Sequence, residues 1–226
     1  IGSTEEPLVG DILYGGKLEN WKKFANGLSL RILMRQSGRV DPSAAMKNIV
    51  EHPDQYPLFS SHTDQAALQY LDGDRRENES PFYRGGNGGT NTKVSKQLVD
   101  YLKSFNDTRL LVYALPTPNS SVSGDPADYE YEGDLNGIGL LPDPNNTSPS
   151  GLMWMSIQYD PELASANAGQ GIILSYSEVQ FILAEAAEKG YISGGTAAAE
   201  TYYMNGVKDQ FTYYSGKIGR ASCRER

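Results

Sequence analysis

The chain has 226 residues, with 20 Lys and Arg against 28 Asp and Glu for a formal net charge of −8, two His and one Cys. That length suits about one or two domains with room for a sizeable core, and at 38% hydrophobic and 21% charged residues the chain is too apolar for a disordered polymer. The acidic balance excludes an electrostatic pull toward nucleic acid or an anionic bilayer face, and Cys223 with the separated His52 and His62 supplies neither an internal disulfide nor a zinc cluster.

No metal or cofactor is expected from these residues. No window approaches the run of about 18 apolar residues that crosses a membrane. The opening IGSTEEPLVG has neither a Met nor a charged-then-apolar leader, so the sequence reads as a fragment or a processed form.

The first predicted helix runs from about Glu19 to Gln36, where Trp21, Phe24, Ala25, Leu28 and Ile32 step at three and four residues along one face. Gly27 inside it costs about 1 kcal/mol relative to Ala, which points to something packed close there. A short helix follows Asp41-Pro42, a capping residue and a proline suited to the first turn, and carries Ala45, Met46, Ile49 and Val50 until His52-Pro53 stops it. A third spans about Lys93 to Phe105, with Val94, Leu98, Tyr101, Leu102 and Phe105 as its stripe.

Between Thr108 and Gly171 lies a stretch dense in Pro, Gly, Asn, Asp and Ser. So long a loop in a compact domain is functional or disordered, and its aromatics, Tyr113, Tyr129, Tyr131, Trp154 and Tyr159, argue for order. After it, LSYSEVQFILAEAAEKG has Ser175 and Glu178 as a capping box and Gly190 as a left-handed stop. A fifth helix begins near Thr196, and the short turn between the last two predicts an antiparallel helix hairpin.

The far end breaks the composition: KIGRASCRER, residues 217–226, holds Lys217, Arg220, Arg224, Arg226 and the lone Cys223. It reads either as a short basic tail or as sequencing-adapter sequence carried through translation. The second reading is adopted, and the segment is left out of the fold expectation.

Catalytic patterns are weak. With 28 carboxylates, neighbours such as Asp72 and Asp74 are unavoidable and carry no spacing that demands acid–base work. Neither His52 nor His62 sits in a nucleophile-elbow context. The loop YRGGNGGTN, residues 83–91, lacks a Walker lysine and reads as a surface loop. Glu185, within FILAEAAE, reads as structural.

The segment DYEYEGDLNG, residues 128–137, alternates Asp128, Glu130, Glu132 and Asp134 like the start of a calcium loop, but Gly139 stands where the bidentate Glu is needed. In an extended conformation Tyr129 and Tyr131 share a face. A ring with a hydroxyl tip stacks on a sugar and bonds its hydroxyls, or packs the loop onto the body. Trp154, among Met153, Met155 and Ile157, reads as a partly buried strand residue able to line a pocket. Tyr129, Tyr131, Trp154 and Tyr159 are the candidate ligand-binding residues.

Together the motifs resemble the SusD/RagB family of outer-membrane nutrient-binding lipoproteins of Bacteroidetes. GDILYGGKLENWKKFANGLSLRILMR is similar to a family segment at Asp11, Tyr14, Gly15, Gly16, Trp21, Phe24, Ala25, Asn26, Leu28, Leu30, Arg31, Met34 and Arg35, and departs from it at Lys17 and Gly27. FNDTRLLVYA resembles its Asp-Pro-Arg-Leu segment with Thr108 for proline; YEGDLNGIG and ILSYSEVQFILAEAAEKGYI followed by YYMNGVKDQF resemble later segments in the family's order.

The resemblance implies a mainly α fold with tetratricopeptide-like helix pairs supporting long irregular loops, residues 1–216 being an internal fragment of one such domain. It implies a surface-exposed outer-membrane lipoprotein whose lipid anchor lies outside this fragment. It also implies a SusC-type TonB-dependent transporter as partner, and an oligosaccharide or peptide bound without chemical change. Two other readings compete: a helical-repeat interaction scaffold without a small ligand, and, on carboxylate abundance alone, a glycoside hydrolase.

Overall fold

A computed structural model describes residues 9–70, 92–137, 144–149 and 170–223, with side chains described as far as Tyr214. Helix dominates them. The chain divides into two compact units, one of Ile1–Gln69 with Gly171–Tyr213 and one of Tyr70–Gln170 with Tyr214–Arg226.

The first unit opens on a carboxylate that organises a turn. Asp11 Oδ1 accepts the amides of Leu13 (2.9 Å) and Tyr14 (3.2 Å), while Oδ2 accepts the Gly16 amide (2.8 Å) and the Trp21 indole (2.9 Å). Gly15 and Gly16 have φ of 60° and 88°, a conformation that strains any other residue. The turn feeds α1 (Leu18–Gln36), and the rings of Tyr14 and Trp21 meet edge to face at 5.5 Å.

The fully buried positions of α1 are Gly27 and Leu30; Trp21, Phe24 and Leu28 of the expected stripe pack half-buried against the same core, and Ile32 departs from it. Ile32 is 53% exposed. The cause is Gly27: a Cβ there would stand 3.0 Å from Leu174 Cδ2 and 3.1 Å from Val179 Cγ2, so the bare backbone lets the core close in along its side.

Helix α2 (Ser43–Glu51) starts one residue later than the sequence predicts, with Pro42 at its N-cap, and Asp41 holds the turn from just outside: its Oδ1 accepts the Ser43 amide at 3.0 Å and hydroxyl at 2.6 Å. Met46 and Ile49 go into the core. Strands β1 (Ala66–Gln69) and β2 (Gln170–Leu174), not expected from the sequence, pair as a two-stranded sheet.

Helix α5 (Tyr176–Glu188) is the most buried element, with Val179, Ile182, Leu183, Ala186 and Ala187 inside. Helices α3 (Lys96–Ser104) and α4 (Leu110–Tyr113), which precede it in the chain, belong to the second unit. Ser175 Oγ accepts the Glu178 amide at 3.0 Å, which is half of a capping box; the Glu178 carboxylate goes elsewhere, to Arg31. Gly190 ends the helix at φ 75°, and the Tyr191 amide reaches back to the Ala186 carbonyl at 2.8 Å.

Helix α6 (Gly195–Cys223) returns antiparallel. Residues successively later in α5 meet residues successively earlier in α6: Ser177 accepts from Gln210, Gln180 from Asn205, and the ring of Phe181 meets that of Tyr203 at 5.6 Å. The close contact is again a glycine, since a Cβ on Gly206 would stand 2.9 Å from Phe181 Cε1. Glu185 bonds Lys189 one turn on, at the surface.

In the second unit α3 (Lys96–Ser104) and the single turn α4 (Leu110–Tyr113) are joined by Asp107, which accepts the Arg109 amide at 2.9 Å and grips its guanidinium. The core is small: Val94, Val99 and Ala114, with Leu110 and Tyr131 against it. Tyr101 and Phe105, expected on the inward stripe of α3, are 63% and 67% exposed, because the core holds Val99 and Leu102 and the helix begins only after Val94. Short 3-10 turns at Ser120–Ser123, Pro126–Asp128 and Pro144–Asn146 punctuate the irregular chain that follows.

Candidate ligand-binding site

The tyrosine segment is built on a turn and held by its main chain. Asp125 accepts the Ala127 amide at 2.9 Å, starting the turn Pro126–Asp128, after which Tyr129 is extended (φ −69°, ψ 123°). Glu130 donates to Ser120 Oγ at 2.9 Å and accepts from the Thr117 amide at 2.8 Å. Glu132 donates to Ser148 Oγ at 3.0 Å and accepts from the Ser148 amide at 2.7 Å. The Asp134 amide donates to the Val94 carbonyl and its carbonyl accepts the Lys96 amide, both at 2.7 Å.

With the even residues so engaged, Tyr129, Tyr131 and Gly133 share the other register of an extended chain. Tyr131 packs on the Val94, Val99 and Ala114 cluster. Gly133 lies so close to α3 that a Cβ would stand 2.3 Å from Lys96 Cα. Tyr129 is half-buried. Trp154 and Tyr159, the other two expected ligand residues, lie outside the described residues, as do the loop 83–91, Asp72, Asp74 and Gly139.

Of the four acidic positions of this segment, Glu132 is paired with lysines and Asp134 lies near one. Glu132 meets Lys96 at 3.0 Å and Lys103 at 3.6 Å, and Lys96 also meets Asp100 at 3.0 Å; hydrogen bonds to Asp100 and Glu132 raise the Lys96 pKa. Burial lowers that of Lys93, against the nearby Asp134 charge, and its ammonium donates to the Thr147 carbonyl at 3.1 Å. Among the described residues no group of three or more His, Cys, Asp and Glu is placed to hold a metal ion. What the segment offers chemically is aromatic surface with hydroxyl tips beside paired charges, which suits a neutral polar ligand better than an ion.

Three features have no local sequence signal. His62, placed in no catalytic pattern by its neighbours, bonds through Nδ1 to Asp209 Oδ1 at 2.8 Å, its amide adds a bond of 3.3 Å, and Tyr213 meets its ring edge-on at 5.6 Å. Tyr101 and Phe105 pair at 4.9 Å on the outer face of α3. A groove of about 700 Å³ runs between α5 and α6. Each depends on which helix faces pack, and periodicity alone leaves that open.

The family model for SusD-like proteins, described as starch-binding and associating with the outer membrane, matches residues 2–222. The chain belongs to the SusD-like family. Among solved structures, a SusD homolog from Bacteroides fragilis is 26% identical with a TM-score of 0.71, over 98% of this chain and 47% of that one. A chitin-binding protein is 27% identical with a TM-score of 0.66, over 92% of this chain and 43% of that one. An outer membrane protein from Bacteroides vulgatus is 27% identical with a TM-score of 0.70, over 97% and 47%.

The chain thus spans somewhat under half the length of the solved SusD-like relatives it matches. None of the curated proteins matches it. The mainly α fold agrees with the family, and among the described residues no helix is long and apolar enough to cross a membrane.

Proposed function

We propose that this chain is part of a non-catalytic nutrient-binding protein of the outer-membrane surface, lipid-anchored, which captures oligosaccharides for a SusC-type TonB-dependent transporter. The observation that carries the reading is the SusD-like match over residues 2–222, in a family described as starch-binding; the likeness to a chitin-binding protein favours a glycan over a peptide. The proposal includes tetratricopeptide-like pairing of the helices, for which the α5–α6 hairpin is the support, and Tyr129, Tyr131, Trp154 and Tyr159 as ligand contacts.

The test is calorimetric titration of the folded protein with starch- and chitin-derived oligosaccharides and with a peptide library, followed by chromatography of the recovered ligand. Saturable glycan binding, weakened by Tyr129→Ala or Trp154→Ala and leaving the sugar intact, is the expected result. Peptide binding alone would replace the ligand class, and release of reducing sugar would overturn the non-catalytic reading. Retention of partner proteins with no glycan or peptide bound would favour the scaffold reading.

A further inference from the structure

We propose that Asn136, in the turn that follows the tyrosine segment, is a modification site: it deamidates spontaneously to aspartate and isoaspartate, with water as the only co-reactant. Asn136 and Gly137 lie in the second unit, and the inference does not rest on the nutrient-binding reading. Asn26, Asn87, Asn136 and Asn205 each precede a glycine, so sequence alone does not rank them. Asn87 lies outside the described residues; the structure separates the other three.

The chemistry is intramolecular. The Gly137 nitrogen, once its proton has gone to a solvent base, attacks Asn136 Cγ. The N–Cγ bond forms, the Cγ–Nδ2 bond breaks, and Nδ2 leaves as ammonia with a proton from water. Water then opens the cyclic imide at Cγ, which gives aspartate, or at the Asn136 main-chain carbonyl, which gives isoaspartate. Nothing is oxidised or reduced. Glycine eases the closure because it has no Cβ to crowd the attacking nitrogen and a wide range of backbone angles.

Asn26 and Asn205 are held out of this reaction. They sit inside α1 and α6, where the following amide is committed to the carbonyl four residues back. Asn26 Nδ2 also donates to the Pro57 carbonyl at 2.9 Å and Asn205 Nδ2 to Gln180 Oε1 at 3.5 Å. Both glycines are packed tightly: a Cβ on Gly27 would stand 3.0 Å from Leu174 Cδ2, and one on Gly206 would stand 2.9 Å from Phe181 Cε1.

Asn136 and Gly137 have none of these restraints. They form a turn with Gly137 at φ 81°, a Cβ on Gly137 would meet nothing within 4 Å, and Asn136 makes no hydrogen bond among the described residues. The segment is anchored just before them, at Asp134, whose amide and carbonyl bond Val94 and Lys96 at 2.7 Å. The turn can therefore rotate toward ring closure without breaking that anchor. The product adds a carboxylate to a run that already holds Asp128, Glu130, Glu132 and Asp134.

The experiment ages the full chain in mildly alkaline buffer, folded and in concentrated urea, and follows each Asn-Gly pair by peptide mapping with mass spectrometry and isoaspartyl detection. The ratio of the rate in urea to the folded rate measures the protection of each site. Asn136 is expected to show little protection, whereas Asn26 and Asn205 should be protected by about tenfold or more, because a helical pair reacts only through local opening. Asn136→Gln, which leaves Gly137 and its turn in place, should remove the folded-state signal from that peptide. Protection of Asn136 equal to that of either helical pair, or a signal that survives Asn136→Gln, would overturn the proposal.

Discussion

Arg31 and Glu178 stand 147 positions apart in sequence and meet as a two-bond pair, Nε to Oε1 and Nη2 to Oε2, both at 2.7 Å. The same guanidinium donates to the Ile173 carbonyl at 2.9 Å, so one side chain of α1 ties down the end of β2 and the first turn of α5. Glu178 there also faces the positive end of its helix.

The pair predicts that Arg31→Ala lowers stability by about 1–2 kcal/mol, the range for charge-assisted bonds with one partner partly exposed. Arg31→Lys should restore less than half of it, because an ammonium has no planar fork to match the carboxylate. Urea midpoints of the wild type and the two variants check this, and an Arg31→Ala midpoint equal to that of the wild type would refute it.

Gly27 yields a prediction with a reversal of sign. Gly to Ala inside a helix ordinarily gains about 1 kcal/mol, but here the new methyl meets Leu174 at 3.0 Å and Val179 at 3.1 Å, both fully buried and with little room to give. Gly27→Ala is expected to destabilise, by about 1 kcal/mol or more from overpacking. In a Leu174→Ala background the crowding is relieved, and Gly27→Ala should then stabilise. A double-mutant cycle by thermal unfolding reads the coupling; additive effects would sink the idea.

What was legible in the sequence was local. Asp41 before Pro42, Ser175 before Glu178, and Gly190 each act within a few residues, so their roles follow from type and spacing. Gly27 was legible as a propensity violation that needed a packing reason. Arg31 with Glu178 was not, because no periodicity names a partner on a distant helix. Nor was the outward turn of Tyr101 and Phe105, since α3 has two adjacent apolar stripes and only the small cluster around Val94 and Ala114 selects between them. At the candidate site the alternation of Tyr129 and Tyr131 was readable from their spacing, while the seating of Tyr131 on Val99 belongs to tertiary packing.

Asp11 predicts an acid limb. Burial pushes its carboxyl up, but the Trp21 indole and the amides of Gly16, Leu13 and Tyr14 outweigh that and hold it at about 2 against the ordinary 3.8. A depressed native pKa means its contribution to stability is fully present above the unfolded value and is lost as pH falls from 3.8 through about 2. Asp64 acts in the same direction: burial raises it, while Lys23, Ser60 and Ser61 lower it further. Melting temperatures of wild type and Asp11→Asn should differ at neutral pH and converge as pH falls through that window. A gap independent of pH would show that the carboxylate charge is not what the turn uses.

Tyr129 and Tyr131 are expected to separate on mutation although they lie two residues apart. Tyr131 rests on Val94, Val99 and Ala114, so Tyr131→Ala should cost about 1–3 kcal/mol as a partly buried aromatic is removed, while Tyr131→Phe keeps the ring and its packing. Tyr129 belongs to no hydrophobic cluster of the described residues, so Tyr129→Ala should leave stability within about 0.5 kcal/mol of the wild type. Loss of glycan binding in Tyr131→Ala is therefore informative only beside Tyr131→Phe: a phenylalanine protein that is stable yet binds weakly identifies the hydroxyl as the contact. Equal stability losses in the two alanine variants would contradict the assignment of Tyr131 alone to the packing of this unit.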